Sequence, residues 1–252
     1  MKVVSWNCNG ALRNKLAVVD SLDADVLVIQ ECEDPAYSTR AYRDWAGDYL
    51  WCGESSSRGI GVFPKRGNQV SACNWHGLFA VAGLQGNSPT LQWRTDELRL
   101  FLPFRLNDQL TLLAVWTKGH RDEVFAYMGQ FWKYLQIHRG DLPKSRCLIL
   151  GDFNSNSIWD KSDRWWNHSD VVAELAELGF ASQYHLQTGE PQGSESRPTF
   201  FLQRNPAKPY HIDYVFTSRD LATGSELQIG GLDDWLEVSD HRPLMLDVRL
   251  NS

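Results

Sequence analysis

Five short segments of this sequence place carboxylate or amide side chains at the ends of apolar runs or inside them. An ionised carboxylate beside a hydrophobic strand is costly unless it is paired or binds a metal ion. Ligands of α/β proteins commonly bind at strand ends, so one shared site would account for every segment. The segments are Trp6-Asn7-Cys8-Asn9-Gly10, Ile29-Gln30-Glu31, Leu150-Gly151-Asp152-Phe153-Asn154, His211-Ile212-Asp213-Tyr214-Val215-Phe216 and Ser239-Asp240-His241-Arg242-Pro243.

These segments offer hard oxygen ligands, and of their two histidines we expect only His241 to serve the site. Such a set suits Mg²⁺ or Mn²⁺ better than Zn²⁺, and Mg²⁺ leaves room for water and phosphate oxygens. A phosphoester is therefore the natural substrate, because the metal would polarise the phosphoryl oxygen and stabilise charge on the leaving oxygen. An Asp with an Asn would orient the attacking water, and a His paired with a carboxylate would take a proton or hold the phosphate. The oxygen ligands are Asn7, Asn9, Glu31, Asp152, Asn154, Asp213 and Asp240.

The composition narrows the range of partners. The 252 residues carry 25 Lys and Arg against 31 Asp and Glu, a formal charge of −6. This charge argues against a protein that coats nucleic acid nonspecifically, but a nuclease stays possible because a bound cation supplies positive charge locally. Seventeen of the 25 basic residues are Arg, which suits bidentate phosphate contacts. The five cysteines form no C-x-x-C pair, so we expect reduced thiols rather than a zinc or dithiol site.

The elements that must position these residues follow from the hydrophobic pattern. Continuous apolar runs such as 26–29 and 147–150 predict strands buried on both faces. A helical stripe predicts a helix over 122–138, and a second helix over 169–178 is predicted to end at Gly179. Apolar residues at helical spacing also follow Gly10. Further strands are predicted at 3–6, 59–64, 69–74, 78–84, 98–106, 110–116, 198–203, 211–217, 226–229 and 243–250.

Many strands in two halves, with few helices, predict two packed sheets with helices outside. No linker divides the chain, so we expect residues 1–252 to form a single domain. Apolar runs are too short to span a bilayer, and the chain enters its first strand with no signal-peptide pattern. We therefore expect a cytoplasmic protein without membrane contact, and no segment indicates an obligate protein partner.

Taken in order, the five segments resemble the motifs of the endonuclease/exonuclease/phosphatase superfamily, most closely its exonuclease III/AP endonuclease branch. The resemblance runs from Ser5 to Pro243, nearly the whole chain. It implies a DNase I-like, four-layer α/β sandwich of two mixed sheets. It also implies Mg²⁺-dependent phosphoester hydrolysis by direct attack of water.

The resemblance also implies roles for single residues. Asn7 and Glu31 match the metal-site amide and carboxylate, and Asp240 matches a residue near the metal. Asn9 stands beside them, in a position that we expect to contact substrate.

The remaining matches concern the nucleophile and the phosphate. Asp152 matches the residue that orients or deprotonates water, and Asn154 matches its partner. His241 matches the phosphate-contacting histidine, and Asp213 matches the carboxylate that orients it.

One departure from the family pattern concerns the strand before Asp152. Trp116 stands where many members have a Tyr or His, and an indole offers only an N–H and a stacking face. Lys118, His120 or Arg121 would then reach the phosphate in its place. Arg58, in a Ser- and Gly-rich run, either contacts an anion or belongs to a plain hairpin turn.

The segment 155–168 is rich in Trp and carries Lys161 and Arg164. Interleaved aromatic and basic residues could stack bases and hold phosphates. The alternative is that these Trp residues anchor a long loop to the body of the protein. His185, Glu190 and Glu195 fall in a polar stretch that we interpret as a loop, either apart from the site or at its rim.

Three functions remain open from the sequence. The first is a Mg²⁺-dependent phosphodiester hydrolase that acts as a DNA endonuclease or exonuclease. The second is a phosphatase or phosphodiesterase for a small molecule or a lipid head group. The third is a binding module that kept the fold, which the intact set of acidic and amide residues disfavours.

Overall fold

A computed structural model describes residues 1–83, 92–119 and 124–250. Its strands are β1 Lys2–Asn7, β2 Val26–Cys32, β3 Leu50–Ser55, β4 Arg58–Pro64, β5 Val70–Ala72, β6 Leu78–Ala80, β7 Gln92–Arg94, β8 Phe101–Leu106, β9 Leu110–Trp116, β10 Cys147–Asp152, β11 Phe180–Ser182, β12 Phe200–Phe201, β13 Pro209–Tyr210, β14 Asp213–Ser218, β15 Glu226–Ile229 and β16 Leu244–Asp247. The α-helices are α1 Leu16–Asp20, α2 Arg40–Ala46, α3 Met128–His138, α4 His168–Glu177, α5 Gln183–Thr188, α6 Arg219–Ala222 and α7 Leu232–Trp235.

Two six-stranded sheets form the body of the described chain. The first sheet has the strand order β15-β16-β1-β2-β4-β3, and the second has the order β11-β14-β10-β9-β8-β5. Both are mixed, because β1 and β2 run parallel, as do β9 and β10, beside antiparallel neighbours. In each sheet the central parallel pair carries the most apolar runs of the sequence, as expected for strands covered on both faces.

Three clusters of buried apolar residues hold the sheets and helices of the fold together in layers. One contains residues of both sheets, such as Val28 and Leu148, so the sheets pack face to face. A second places α3 and α4 on the outer face of the second sheet, and a third places α1 and α2 outside the first sheet. The predicted fold class, two packed mixed sheets flanked by helices, is confirmed.

Several element boundaries differ from the sequence prediction for local backbone reasons. The predicted helix 122–138 begins at Met128, because Tyr127 has φ 51° and ψ −115°, angles that a helix does not contain. Residues 122 and 123 of that prediction lie outside the described residues. The predicted strand 98–106 begins at Phe101, because Leu100 has φ 66°. Gly179 does follow α4, with φ +91°, as its predicted role at the helix end requires.

Other elements were not predicted. Helices α2 and α5 and strand β3 are absent from the sequence prediction, and the predicted strand 78–84 is only β6 within the described residues. Helix α2 is short, and β3 is an edge strand with its residues half-buried or exposed, so neither shows a clear hydrophobic period. The described helices are all too short or too polar to cross a membrane.

Candidate active site

The predicted site residues meet where β1 and β2 of one sheet face β10 and β14 of the other. Asn7 ends β1 and Asp152 ends β10, and the two are joined across the sheets by a bond of 2.8 Å from Asn7 Nδ2 to Asp152 Oδ2. Both side chains are buried, at 1% exposure each. A charged acceptor in such a place is tolerated only when its oxygens are bonded, and this bond supplies one of the partners.

Asp152 is the most heavily bonded carboxylate of the site. Besides the bond from Asn7, its Oδ2 accepts from Asn154 Nδ2 at 2.9 Å and its Oδ1 accepts from the Asn154 backbone N–H at 2.8 Å. Burial raises the pKa of Asp152 to about 7, although the positive charge of His241 acts to lower it. A carboxylate with this pKa is able to accept a proton near neutral pH.

His241 and Asp213 form a buried ion pair beside Asp152. The His241 Nδ1 lies 3.0 Å from Asp213 Oδ2, and the His241 Nε2 lies 4.0 Å from Asp152 Oδ2. Burial by itself would lower the pKa of His241, but the charges of Asp213 and Asp152 outweigh it and raise that pKa to about 9. The imidazole is therefore protonated at neutral pH and presents a positive Nε2–H group toward the site.

Two hydroxyl groups that sequence reasoning missed hold this pair in place. The Thr199 Oγ1 accepts from the backbone N–H groups of Ile212 and Asp213, at 3.0 and 3.1 Å, and Thr199 is fully buried. The Ser239 Oγ donates to the Asn7 carbonyl at 2.8 Å and accepts from the His241 N–H at 3.1 Å. Thr199 lies outside the five segments, and it acts on residues 13 and 14 positions away. Ser239 does stand in the segment 239–243, but its bond to the Asn7 carbonyl joins residues 232 positions apart.

A β-bulge in β2 places the Glu31 side chain in the site. The register of β2 against β4 shifts between Gln30 and Cys32, and Glu31 takes φ 61°. Such a bulge turns a side chain out of its regular strand direction. The Glu31 carboxylate is thereby 18% exposed, accepts from Asn7 Nδ2 at 3.3 Å and pairs with the Arg58 guanidinium at 3.1 Å.

The position of Asn154 also depends on unusual backbone angles, at Gly151 and at Asn154 itself. Gly151 has φ +147°, and a Cβ there would lie 1.8 Å from the Val115 carbonyl oxygen, so only glycine fits between β9 and β10. Asn154 itself has φ 45°, and its Nδ2 donates to the Thr117 carbonyl at 3.0 Å as well as to Asp152. The chain after β10 is thus turned so that Asp152 and Asn154 act as one unit.

Asn9 and Asp240 lie at the half-buried edge of the site. The Asn9 backbone N–H donates to Asn7 Oδ1 at 3.0 Å, which orients the Asn7 amide, while its side chain stays half-buried. Asp240 lies 3.5 Å from Ser239 Oγ, and its charge contributes to the raised pKa of His241. The structure therefore brings Asp240 near His241, and its role as a metal ligand stays a prediction.

Trp116 and Lys118 occupy different environments. Trp116 is the strand partner of Asp152 in the β9–β10 pair and is 3% exposed, within the core between the sheets. Its ring is therefore buried in the core and offers no open stacking face. Lys118 is 45% exposed, lies 4.8 Å from the Trp116 ring and pairs with Glu54 at 3.3 Å. His120 and Arg121 lie outside the described residues.

The donor set fits a hard divalent cation. Glu31 and Asp152 both bond the single Asn7 amide, which places two carboxylates and amide oxygens together. Cys8, next to Asn7 in the chain, is fully buried, and this burial raises the pKa of its thiol to about 12.

Asp152, Asp213 and His241 also offer atoms within 4.8 Å of one another. The His241 Nδ1 lies 3.2 and 3.0 Å from the two Asp213 oxygens, so His241 and Asp213 are also joined to each other by hydrogen bonds.

The sequence matches the endonuclease/exonuclease/phosphatase family over residues 4–241. No curated protein sequence matches the chain. Among solved structures, the 3′-5′ exonuclease NExo from Neisseria meningitidis is similar, with 19% identity, a TM-score of 0.65 and coverage of 99% of this chain and 100% of that one. An AP endonuclease from Archaeoglobus fulgidus has 15% identity and a TM-score of 0.66 over 99% and 100% of the chains.

A further neighbour is the 3′ phosphatase NExo from Neisseria bound to product DNA hairpin, with 19% identity, a TM-score of 0.67 and coverage of 99% and 100%. At these identities the likeness establishes the fold, and it agrees with the exonuclease III/AP endonuclease branch inferred from the motifs. The family match covers nearly all of the chain and every residue of the site. This chain is therefore a member of the endonuclease/exonuclease/phosphatase family, whose named activities are all hydrolyses of phosphoesters.

Proposed function

We propose that this protein is a Mg²⁺- or Mn²⁺-dependent nuclease that hydrolyses phosphodiester bonds in DNA, as an endonuclease or an exonuclease, by direct attack of water. The observation that carries the proposal is the position of the His241–Asp213 ion pair next to the Asp152 carboxylate. A positive donor and a basic carboxylate lie side by side, and a phosphate with its attacking water needs one of each.

The chain's own residues divide the work as follows. Asp152 accepts a proton from water as the water oxygen forms its bond to phosphorus, and the bond from phosphorus to the leaving oxygen breaks. Asn154 and Asn7 hold Asp152 in one orientation through their bonds to its two oxygens. His241 donates from Nε2 to a phosphate oxygen, while Asp213 on Nδ1 keeps the imidazole charged.

Glu31 and Asn7 would hold the metal, with Asp152 beside them and Asp240 as a further candidate ligand. When bound, the ion stabilises negative charge on the phosphate and on the leaving oxygen. The Arg58 guanidinium neutralises Glu31 and is 54% exposed, so it is placed to contact a phosphate as well.

The choice of DNA rests on two observations. The solved structure of NExo bound to a product DNA hairpin has the same fold. Two exposed cations also lie beside site residues despite the net charge of −6: Arg58 pairs with Glu31, and Lys161 lines the same cavity as Asn154.

A phosphatase or phosphodiesterase acting on a small molecule or lipid head group is the second candidate. A cavity of about 340 Å³ adjoins Asn154 and is large enough for a compact head group. The acidic total charge also suits a small substrate better than a polymer.

The test is cleavage of end-labelled single-stranded DNA, duplex DNA, abasic duplex and RNA, with Mg²⁺ or with EDTA. His241→Ala serves as the blank, and Asp44→Asn, on an exposed surface away from the site, controls for a change of charge. We expect Mg²⁺-dependent cuts in DNA that are absent from the blank, and the product ladder separates exo from endo action. Cleavage of no polymer, by protein that still hydrolyses bis(p-nitrophenyl) phosphate, would favour the small-molecule alternative.

A further inference from the structure

The polar segment 189–197, which we call the strap, carries a carboxylate that the mechanism above does not use. The strap connects α5 to the chain that leads into β12. The side chain of Glu195, within it, is only 4% exposed. Its oxygens accept from the Asn156 amide at 3.0 Å, from the His185 Nε2 at 3.1 Å and from the Gly193 backbone N–H at 3.0 Å. These three donors make a carboxylate tolerable in so buried a place.

Glu195 stays ionised in this position. Burial by itself would raise its pKa, but the hydrogen bonds from His185, Gly193 and Asn156 lower the pKa to about 2. An ionised carboxylate is only an acceptor, so the His185 Nε2 must carry a proton. For the same reason the Asn156 side chain must present its nitrogen, and not its oxygen, to the strap. The charge of Glu195 therefore sets the orientation of the Asn156 amide.

Asn156 connects the strap to two segments of the active site. It is 2% exposed and follows Asn154 by two residues. Its Nδ2 also lies 2.9 Å from the His211 carbonyl oxygen and 3.0 Å from the Tyr214 hydroxyl oxygen. His211 and Tyr214 stand on either side of Asp213 in the chain. The amide thus ties the chain just after Asn154 to the chain around Asp213.

The turn at Asn154 needs support on both of its sides. Asn154 has φ 45°, a left-handed conformation that an L-residue adopts only at some cost. On the side of β9, its own Nδ2 donates to the Thr117 carbonyl at 3.0 Å. On the other side, the turn is held by Asn156. Loss of that second support would let the turn relax, and with it the Asn154 amide that bonds Asp152.

The end of the strap holds the strand of Asp213 as well. The His211 Nδ1 donates to the Arg197 carbonyl at 2.8 Å. Two residues further along the chain, the Thr199 hydroxyl accepts from the Asp213 backbone N–H at 3.1 Å. Glu195 and the chain that follows it therefore contact both halves of the site.

We propose that Glu195 is a positioning residue for phosphoester hydrolysis, which keeps the turn of Asn154 aligned with the strand of Asp213 through the Asn156 amide. The inference rests on the proposed hydrolysis and applies to either candidate substrate. In this role Glu195 acts on the orientation of other residues and takes no part in the chemistry itself. Misplacing a reacting group by about 1 Å costs about a hundredfold in rate, so the effect should be seen in kcat.

The first test measures kcat and KM for hydrolysis of bis(p-nitrophenyl) phosphate with Mg²⁺, per folded protein. Glu195→Ala should lower kcat by about ten- to hundredfold and change KM by less than about twofold. Glu195→Gln should keep kcat near that of wild type, because its amide oxygen still accepts from Asn156. It loses the acceptor oxygen that His185 and Gly193 share, so it should nevertheless melt at a lower temperature. A residue that serves stability alone would not separate kcat from stability in this way.

Glu190, the other acidic residue of the strap, provides the matched control. It accepts from the Tyr184 hydroxyl at 2.5 Å and from the Ser196 backbone N–H at 2.8 Å, and so closes the strap at a different place. Glu190→Ala should lower the melting temperature and keep kcat. If Glu190→Ala and Glu195→Ala lower kcat alike, the strap supports only the fold and the positioning inference is wrong.

A double-mutant cycle tests the route through Asn156. Asn156→Ala should lower kcat at least as much as Glu195→Ala, and adding Glu195→Ala to it should lower kcat no further. If the two losses multiply instead, Glu195 acts by another route and the inference is overturned. Asn156→Ala decides the result if Glu195→Ala does not fold, because wild-type kcat in Asn156→Ala would also overturn the inference.

The outcomes separate this inference from the proposed function. If wild-type protein hydrolyses the diester and Glu195→Ala does so with the same kcat, the positioning inference is wrong and the proposed function stands. A wild-type protein that hydrolyses neither this diester nor DNA overturns the proposed function, and the positioning inference with it.

Discussion

Asp152 and Asp213 are direct cross-strand partners in the antiparallel pair of β10 and β14. Two carboxylates at such a position repel each other unless a positive group lies between them. His241 supplies that group, with Nδ1 at 3.0 Å from Asp213 and Nε2 at 4.0 Å from Asp152. Burial, with a smaller contribution from the repulsion by Asp213, raises the pKa of Asp152 against the charge of His241. The charges of Asp213 and Asp152 raise the pKa of His241.

The first prediction concerns turnover. Asp152→Asn removes the proton acceptor and His241→Ala removes the positive donor, so each should lower kcat by about three orders of magnitude or more. Circular dichroism should show the fold kept in both. Asp44→Asn should retain wild-type kcat, since Asp44 is exposed and pairs with Arg40 on the surface of α2. Substantial residual activity in both site variants would contradict the assignment of these residues.

The second prediction concerns the protonation of His241 in the metal-free protein. Its imidazole should titrate at a pKa near 9 by NMR, and Asp213→Asn should bring that pKa down toward or below the ordinary value, because burial then acts without the partner charge. Titration of wild-type His241 near 6.5 would contradict the ion pair.

The same pair predicts how stability depends on pH. The pKa of His241 is higher in the folded than in the unfolded chain, so its contribution is fully present below about pH 6.5 and is lost as pH rises through about 9. Urea unfolding should show Asp213→Asn less stable than wild type by on the order of 1–3 kcal/mol at pH 6. The difference should shrink at pH 10, and an equal difference at both pH values would argue against this linkage.

The third prediction concerns the metal. EDTA should abolish activity, and Mg²⁺ or Mn²⁺ should restore it. Glu31→Gln should raise the Mg²⁺ concentration needed for half-maximal activity by tenfold or more and weaken Mg²⁺ binding measured by calorimetry. Glu226→Gln on the exposed face of β15 is the matched control and should change neither. Full activity of wild type in EDTA would refute the metal proposal.

The fourth prediction concerns Arg58. In an Asp152→Asn background that binds without cutting, Arg58→Ala should weaken binding of single-stranded DNA and reduce the slope of log K against log salt by about 1. Arg40→Ala carries the same loss of charge on an exposed helix face and should leave the slope unchanged. An unaltered slope for Arg58→Ala would mean that Arg58 serves Glu31 alone.

The fifth prediction concerns the backbone that presents Asp152. Gly151→Ala should destabilise the protein by about 3 kcal/mol or more, since its Cβ would collide with the Val115 carbonyl and its φ of +147° strains an L-residue. Gly140→Ala is the control, because no atom of the described residues lies within 4 Å of a Cβ there. Urea unfolding of both variants measures the difference, and similar midpoints would show that the close approach of β9 and β10 is dispensable.

The central strands of both sheets could be predicted because buried parallel strands carry continuous apolar runs. β1, β2, β9 and β10 all show such runs. Edge and surface elements such as β3 and α2 were missed, since half-exposed residues leave no clear period.

The sequence by itself was enough to predict which residues come together at one site. Carboxylates and amides beside apolar runs are too costly to persist without a partner or a metal, and Asn7, Glu31, Asp152, Asp213 and His241 do lie together. Only the tertiary structure decided how they are connected: the bond from Asn7 to Asp152 joins residues 145 positions apart. Thr199 likewise holds Asp213 through backbone bonds that leave no mark on the residue type. Contacts between remote strands depend on sheet order and register, which local sequence patterns do not encode.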